Sequence, residues 1–96
     1  MSHKWTPAEN ELCCRCYLQR YILNKETIPI SALAHLLEPE LPEISYNSIR
    51  LKLLNTRYLC CRAGLQDASV GSSSSHCSLD HEAAFQKILK EFGLSD

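Results

Sequence analysis

No run in this chain approaches the roughly 20 consecutive apolar residues that a membrane-spanning helix needs, and the opening Met-Ser-His-Lys-Trp lacks the apolar stretch of a secretion signal. These absences give the expectation of a cytoplasmic protein, nuclear in a host with a nucleus, that has no membrane partner. Glycine occurs only three times, and no glycine-rich loop is present to cradle a phosphate, so the P-loop and dinucleotide-binding classes drop out. Internal repeats are also missing. Excess charge is absent too, because ten Lys and Arg stand against eleven Asp and Glu. A protein that coats nucleic acid by bulk charge is thereby excluded, since each neutralised phosphate releases a counterion and rewards a further cation.

The chain is nevertheless divided by charge. Residues 1–44 hold four basic and six acidic side chains, residues 63–96 hold two and five, and residues 45–62 hold Arg50, Lys52, Arg57 and Arg62 with no acid at all. At 96 residues the chain is one small domain of modest core, in the size range where roughly 60 to 65 % of the unfolded surface is buried. A partner or a second copy would add stability.

The element pattern is helical throughout. Thr6, Pro7 and Glu9 form a capping box with proline in the first turn, which predicts a first helix over about 7–23 with Trp5 folding back as a staple. Leu12, Cys13, Cys16, Tyr17 and the Arg20 stem are its expected apolar set, with Ile22 or Leu23 beyond. Ser31 offers a cap for a short second helix to Leu37, with Ala32, Leu33, Leu36 and Leu37 inward. Glu38-Pro-Glu-Leu-Pro-Glu43 cannot continue it, because its prolines lack amide donors.

Ser45 caps a third helix with Ile49, Leu53 and Leu54 toward the core; Tyr58–Arg62 fits either a helical extension or a short strand, and Gly64 marks a stop. Residues 67–78 have linker composition. Ser78 or Asp80 then caps a fourth helix ending near Gly93, with Ala84, Phe85, Ile88, Leu89 and Phe92 on one face. That face is expected either to dock on the first three helices or to pair with a second copy, as a homodimer or a domain swap.

Catalytic and metal chemistry find little support. Cys13 and Cys16 form a C-x2-C pair, and Cys60, Cys61, His76, Cys77 and His81 lie downstream, but structural zinc sites place such a pair on a turn rather than inside a helix. The six cysteines therefore read as free, mostly buried thiols. His35 reads as a surface residue. Glu9 and Glu11 are two apart on a helix, so their carboxylates diverge. The expectation is a protein with no catalytic residue, no metal and no cofactor.

Trp5-Thr6, the second-helix run Ile30-Ser-Ala-Leu33-Ala-His-Leu-Leu37 and the third-helix run Ser48-Ile49-Arg-Leu-Lys52-Leu53-Leu-Asn55 resemble the Myb/SANT-like branch of helix-turn-helix domains. More narrowly they are similar to the small module that precedes the nuclease domain in some HNH-type restriction endonucleases. The resemblance covers residues 5 to about 59. Trp5 stands alone where Myb repeats carry spaced tryptophans, and no nuclease domain lies in these residues, so no catalysis is carried over.

The fold expected from it is all-α, a three-helix helix-turn-helix bundle over residues 1–66, followed by a linker over 67–78 and a C-terminal amphipathic helix over 79–96. The function it implies is binding of duplex DNA by the third helix, as a small regulator or an accessory to a restriction or mobile-element system. Tyr46, Asn47, Arg50 and Lys52 would approach bases or phosphates, with Arg57 and Arg62 anchoring the backbone; Arg and Asn are suited to guanine and adenine edges. Phe85, Ile88, Leu89 and Phe92 would be the docking or dimer surface. On this reading Arg50→Glu with Lys52→Glu removes DNA binding at little cost in stability.

The alternative is a protein-interaction module, or a small inhibitor that binds a partner protein. The two readings separate on one geometric question. Arg50, Lys52 and Arg57 projecting from one exposed face favour DNA; the same residues scattered favour a protein partner.

Overall fold

The computed structural model describes residues 4–66 and 77–94. Among them every regular element is helical, and none is long and apolar enough to cross a membrane. The first helix, α1, spans Pro7–Tyr17 and passes without a break into a π-helical turn over Leu18–Leu23; α2 spans Ile30–Leu37, α3 Tyr46–Arg62 and α4 Leu79–Glu91.

Local chemistry accounts for the starts. The Thr6 hydroxyl accepts from the Glu9 amide at 3.2 Å while the Glu9 carboxylate accepts from the Thr6 amide at 2.8 Å, the full capping box. Ser45 caps α3 by accepting from Ser48, and Ser78 caps α4 by accepting from His81. The expected cap at Ser31 does not form. Pro29 occupies the N-cap of α2, extended at φ −64° and ψ 152°, and no side chain caps that end. A proline there has the right φ and no donor to leave unsatisfied.

The ends follow from backbone geometry. Gly64 and Gly93 take positive φ, 76° and 70°, and the residue after each returns an amide to the helix: Leu65 to the Cys60 carbonyl and Leu94 to the Leu89 carbonyl. These are Schellman closures, for which glycine is the cheapest residue. The first helix ends one residue wider. Lys25 adopts φ 55° without being glycine, and the Glu26 amide reaches back to the Arg20 carbonyl at 2.8 Å. Tyr58–Arg62 is helical, which settles the open choice against a strand.

All four helices contribute to one core. On the first helix Asn10, Cys13, Cys14, Tyr17, Leu18 and Tyr21 are buried, a stripe at helical spacing, whereas Leu12 and Cys16 sit at its margin. On α2 the inward set is Ile30, Leu33, Ala34 and Leu37, and Leu36 faces out at 54 % exposure, contrary to the sequence expectation. The acidic connection makes a single 3-10 turn at Glu38–Glu40 and then buries Leu41 and Ile44.

The position of α4 answers the docking question. Phe85, Ile88 and Leu89 are buried in the chain's own core, Phe92 packs partly against it, and α4 lies chiefly along α1. Arg15–Glu91 at 2.6 Å and Lys87–Glu11 at 3.2 Å tie the two helices, and Arg62–Glu82 ties α4 to α3. While α4 is docked, this face is closed to a second copy. Most of the Ser-rich stretch expected as a linker lies outside the described residues.

Candidate functional site

The four cations of α3 do not share an exposed face. Lys52 is only 9 % exposed, and its ammonium sits over the Trp5 ring, 4.6 Å from the centroid. Burial pulls its pKa below the usual lysine value, and no carboxylate pairs with it among the described residues. Arg57 is equally buried. Its Nε donates to the Tyr17 hydroxyl at 3.0 Å, and its guanidinium lies over the rings of Tyr17 and Tyr21. Arg62 is exposed at the far end of the helix, engaged with Glu82 and 5.7 Å from the Tyr58 centroid.

These positions follow from the helical period. Ile49, Lys52, Leu53, Thr56, Arg57 and Cys60 recur at spacings of three and four, so Lys52 and Arg57 lie on the buried stripe itself. Their aliphatic stems fill core volume, and their charged ends lie against aromatic faces, with the Tyr17 phenol accepting from Arg57. A phosphate cannot reach the Lys52 charge without displacing part of the core.

Tyr46 stacks on His35, with ring centroids 4.3 Å apart, and His35 Nδ1 lies 2.6 Å from the Glu38 carboxylate. Asn47 is exposed on the first turn of α3. Of the six residues expected to contact DNA, then, Asn47 and Arg50 alone point outward without an ion-pair, ring or hydrogen-bond partner among the described residues.

Arg50 stands at a cleft of about 510 Å³, in the size range of ligand sites. The cleft opens between α3 and the segment that joins the first two helices. Ile28, Pro29, Ile30 and Leu54 supply apolar wall, and Tyr21, Glu26, Arg57 and Gln66 supply polar atoms. Its frame is cross-braced. The Tyr21 hydroxyl donates to the Ile28 carbonyl at 2.6 Å, fixing the loop, and the Tyr17 hydroxyl donates to the Gln66 carboxamide at 2.6 Å while accepting from Arg57. Glu26 is already occupied by Arg20 at 3.1 Å and by the Asn24 amide group at 3.2 Å. That leaves the Arg50 guanidinium without a paired acid among the described residues.

No family model, curated protein or solved structure matches this chain.

The thiols and histidines do not converge on a metal among the described residues. Among the described residues no group of three or more His, Cys, Asp or Glu side chains could hold an ion, and His76 lies outside them. Cys13, Cys14 and Cys60 are fully buried, and burial pushes all three thiols up, Cys14 to about 12, which keeps them protonated and unreactive. Cys16, Cys61 and Cys77 are half-buried free thiols.

A second polar feature lies inside. His81, wholly buried, has Nε2 2.9 Å from the Thr56 hydroxyl, and that hydroxyl donates to the Lys52 carbonyl at 2.9 Å. With the Thr56 proton so committed, Nε2 must carry the imidazole proton and donate it, leaving Nδ1 as a buried acceptor with no partner. Burial, and then the nearby Lys52 charge, drop its pKa to about 3.

The sequence reading missed both the cleft and this pairing. The cleft depends on the non-regular stretch 24–29, where periodicity says nothing; its only sequence signal is an isolated Thr-Ile-Pro-Ile run between two helices. The pairing could have been suspected from Thr56 on the buried stripe of α3.

Proposed function

We propose that this chain is a non-enzymatic interaction module that binds a partner protein through the cleft between α3 and the 24–30 segment. The observation that carries this reading is the disposition of the α3 cations: two are turned into the core against aromatic rings, a third is held by Glu82, and one is left at a concave, partly apolar cleft. A duplex reader needs several cations in register with a phosphate backbone. Here the expected row is reduced to Arg50 beside Asn47.

A cleft with apolar walls, a braced frame and a single free charge suits a peptide side chain or two. Ligand sites combine these features: mostly apolar lining with a few placed polar groups. Acid residues elsewhere on the chain reinforce the choice, since Glu38, Glu40 and Glu43 crowd the connection leading into α3 and would repel a phosphate backbone approaching its first turn.

The test has two arms. Fluorescence anisotropy of a labelled random duplex at low and moderate salt should give no saturable binding, while selection of random dodecapeptides displayed on phage against the immobilised chain should give enriched binders. Saturable duplex binding that weakens steeply with salt, with no peptide enriched, would restore the helix-turn-helix DNA reading and remove this one.

A further inference from the structure

We infer that the cleft takes an extended acidic peptide, with a side-chain carboxylate of the partner on Arg50 and a neighbouring apolar side chain against Ile28 and Leu54. This inference rests on the interaction reading and specifies its partner.

Charge complementarity selects the ligand. Arg50 is half-buried at the cleft and has neither an acid nor any other acceptor among the described residues, although the other four arginines of the first and third helices are all engaged: Arg15 with Glu91, Arg20 with Glu26, Arg57 with Tyr17 and Arg62 with Glu82. A guanidinium is a planar five-donor fork whose natural complement is a carboxylate or a phosphate, held by two parallel hydrogen bonds. Glu26 cannot supply that complement from within, because both its oxygens are taken by Arg20 and Asn24.

Between carboxylate and phosphate, the surroundings favour the carboxylate. Glu26 stands in the cleft wall, and a dianionic phosphate would carry twice the charge toward it for one available guanidinium. Ile28, Pro29, Ile30 and Leu54 beside Arg50 offer apolar surface to the residue next to the acid, and a peptide supplies such a residue where a nucleic-acid backbone does not. The Thr27 and Ile28 amides make no backbone hydrogen bond among the described residues, so the lining segment has donors to offer an extended chain.

The test follows the dodecapeptides enriched on the full chain. Each is made with a fluorescein label and measured by anisotropy against the wild type, Arg50→Ala, Arg50→Lys and, as a control distant in sequence on α4, Lys90→Gln. Enriched peptides should carry Asp or Glu next to an apolar residue. Changing that acid to Asn or Gln should weaken binding about tenfold or more, the worth of a charge-assisted hydrogen bond. Arg50→Ala should weaken the acidic peptide by a similar factor and leave its amide counterpart unaffected. Arg50→Lys should recover part of the loss, and Lys90→Gln should match the wild type.

Thermal melting of each variant checks that Arg50 has been removed from a folded protein. Peptides that bind without an acid, or that ignore Arg50→Ala, overturn the carboxylate site while the interaction reading stands. No enriched peptide at all overturns both.

Discussion

The two sides of α3 treat positive charge in opposite ways. On the side facing α1 and α4, Lys52 is drawn into the core against Trp5 and Thr56 is met by His81, while Arg57, which also lines the cleft, is covered by Tyr17 and Tyr21. On the side facing the 24–30 segment, Arg50 is left at an open cleft with no acid paired to it among the described residues. A buried charge is tolerated when its stem packs and its head meets a polarisable face, yet its removal or reversal is expensive. A charge at a cleft mouth costs almost nothing to change. The contrast separates cations that hold the fold together from the one available to a partner, although all four come from the same acid-free segment.

The sharpest way to break this contrast is to reverse each charge singly. Lys52→Glu would place a carboxylate where burial already disfavours the ammonium, and would lose the Trp5 contact. Its cost should be on the order of 3–5 kcal/mol, comparable with stranding a buried charge. At roughly 4–8 °C per kcal/mol for a domain of this size, melting should fall by more than about 12 °C. Arg50→Glu should stay within about 0.5 kcal/mol of the wild type. Equal melting temperatures for the two variants, measured by circular dichroism, would show that Lys52 is not a core residue. The expectation that both charges can be reversed together without harm to stability is replaced by this one.

Phe85→Ala comes next. Phe85 is 1 % exposed at the junction of α4 with the rest of the core, so truncation should cost about 3–5 kcal/mol. The wild type should run as a monomer in sedimentation at micromolar concentration, because the face that could pair with a second copy is spent on α1. A concentration-dependent dimer with an unperturbed Phe85→Ala melt would mean that α4 is not docked in solution.

Acid should loosen the closed side of α3 before it affects the cleft. His81 titrates at about 3 in the folded chain against an ordinary 6.5, so the unfolded state takes up a proton that the folded state refuses. The stabilising contribution of neutral His81 is complete above pH 6.5 and is lost at about 1.4 kcal/mol per unit as the pH falls toward 3. The groups facing the imidazole are Thr56 and Lys52 on α3; Lys52 opposes its protonation at every pH in this window. Urea midpoints for the wild type and His81→Gln, taken from pH 7.5 to 4.5, should converge on acidification. Parallel acid limbs would show that His81 does not control them.

How far the sequence could be read follows from the same helix. The capping box at Thr6 and Glu9, the serine caps of α3 and α4, and the apolar face of α4 are local signals, and each forms as expected. The outward face of α3 was not legible, because pattern reading assigns its lysine and arginines to solvent. Spacing places Lys52 and Arg57 in line with Ile49, Leu53 and Cys60, and it takes Tyr17 and Tyr21 from the first helix, and Trp5 from just before it, to make that burial tolerable. The cleft needed even more, since residues 24–29 carry no period and only their path across α3 creates a concavity. Leu36 shows the reverse error, an apolar residue assigned inward by type that the helix turns out.

The smallest expected effect concerns the charge at the end of α3. Arg62 pairs with Glu82 on the surface, with side chains about half and one third exposed, so solvent and salt screen the attraction and ordering two long side chains offsets part of it. Arg62→Ala should lower the melting temperature only slightly, by a shift that shrinks further in 0.5 M salt. The acidic-peptide affinity of the cleft should not change, because Arg62 does not line it. A loss of peptide binding equal to that of Arg50→Ala would mean that the partner runs along the whole helix, and the contrast between the two sides of α3 would have to be redrawn as a gradient from its first turn to its last.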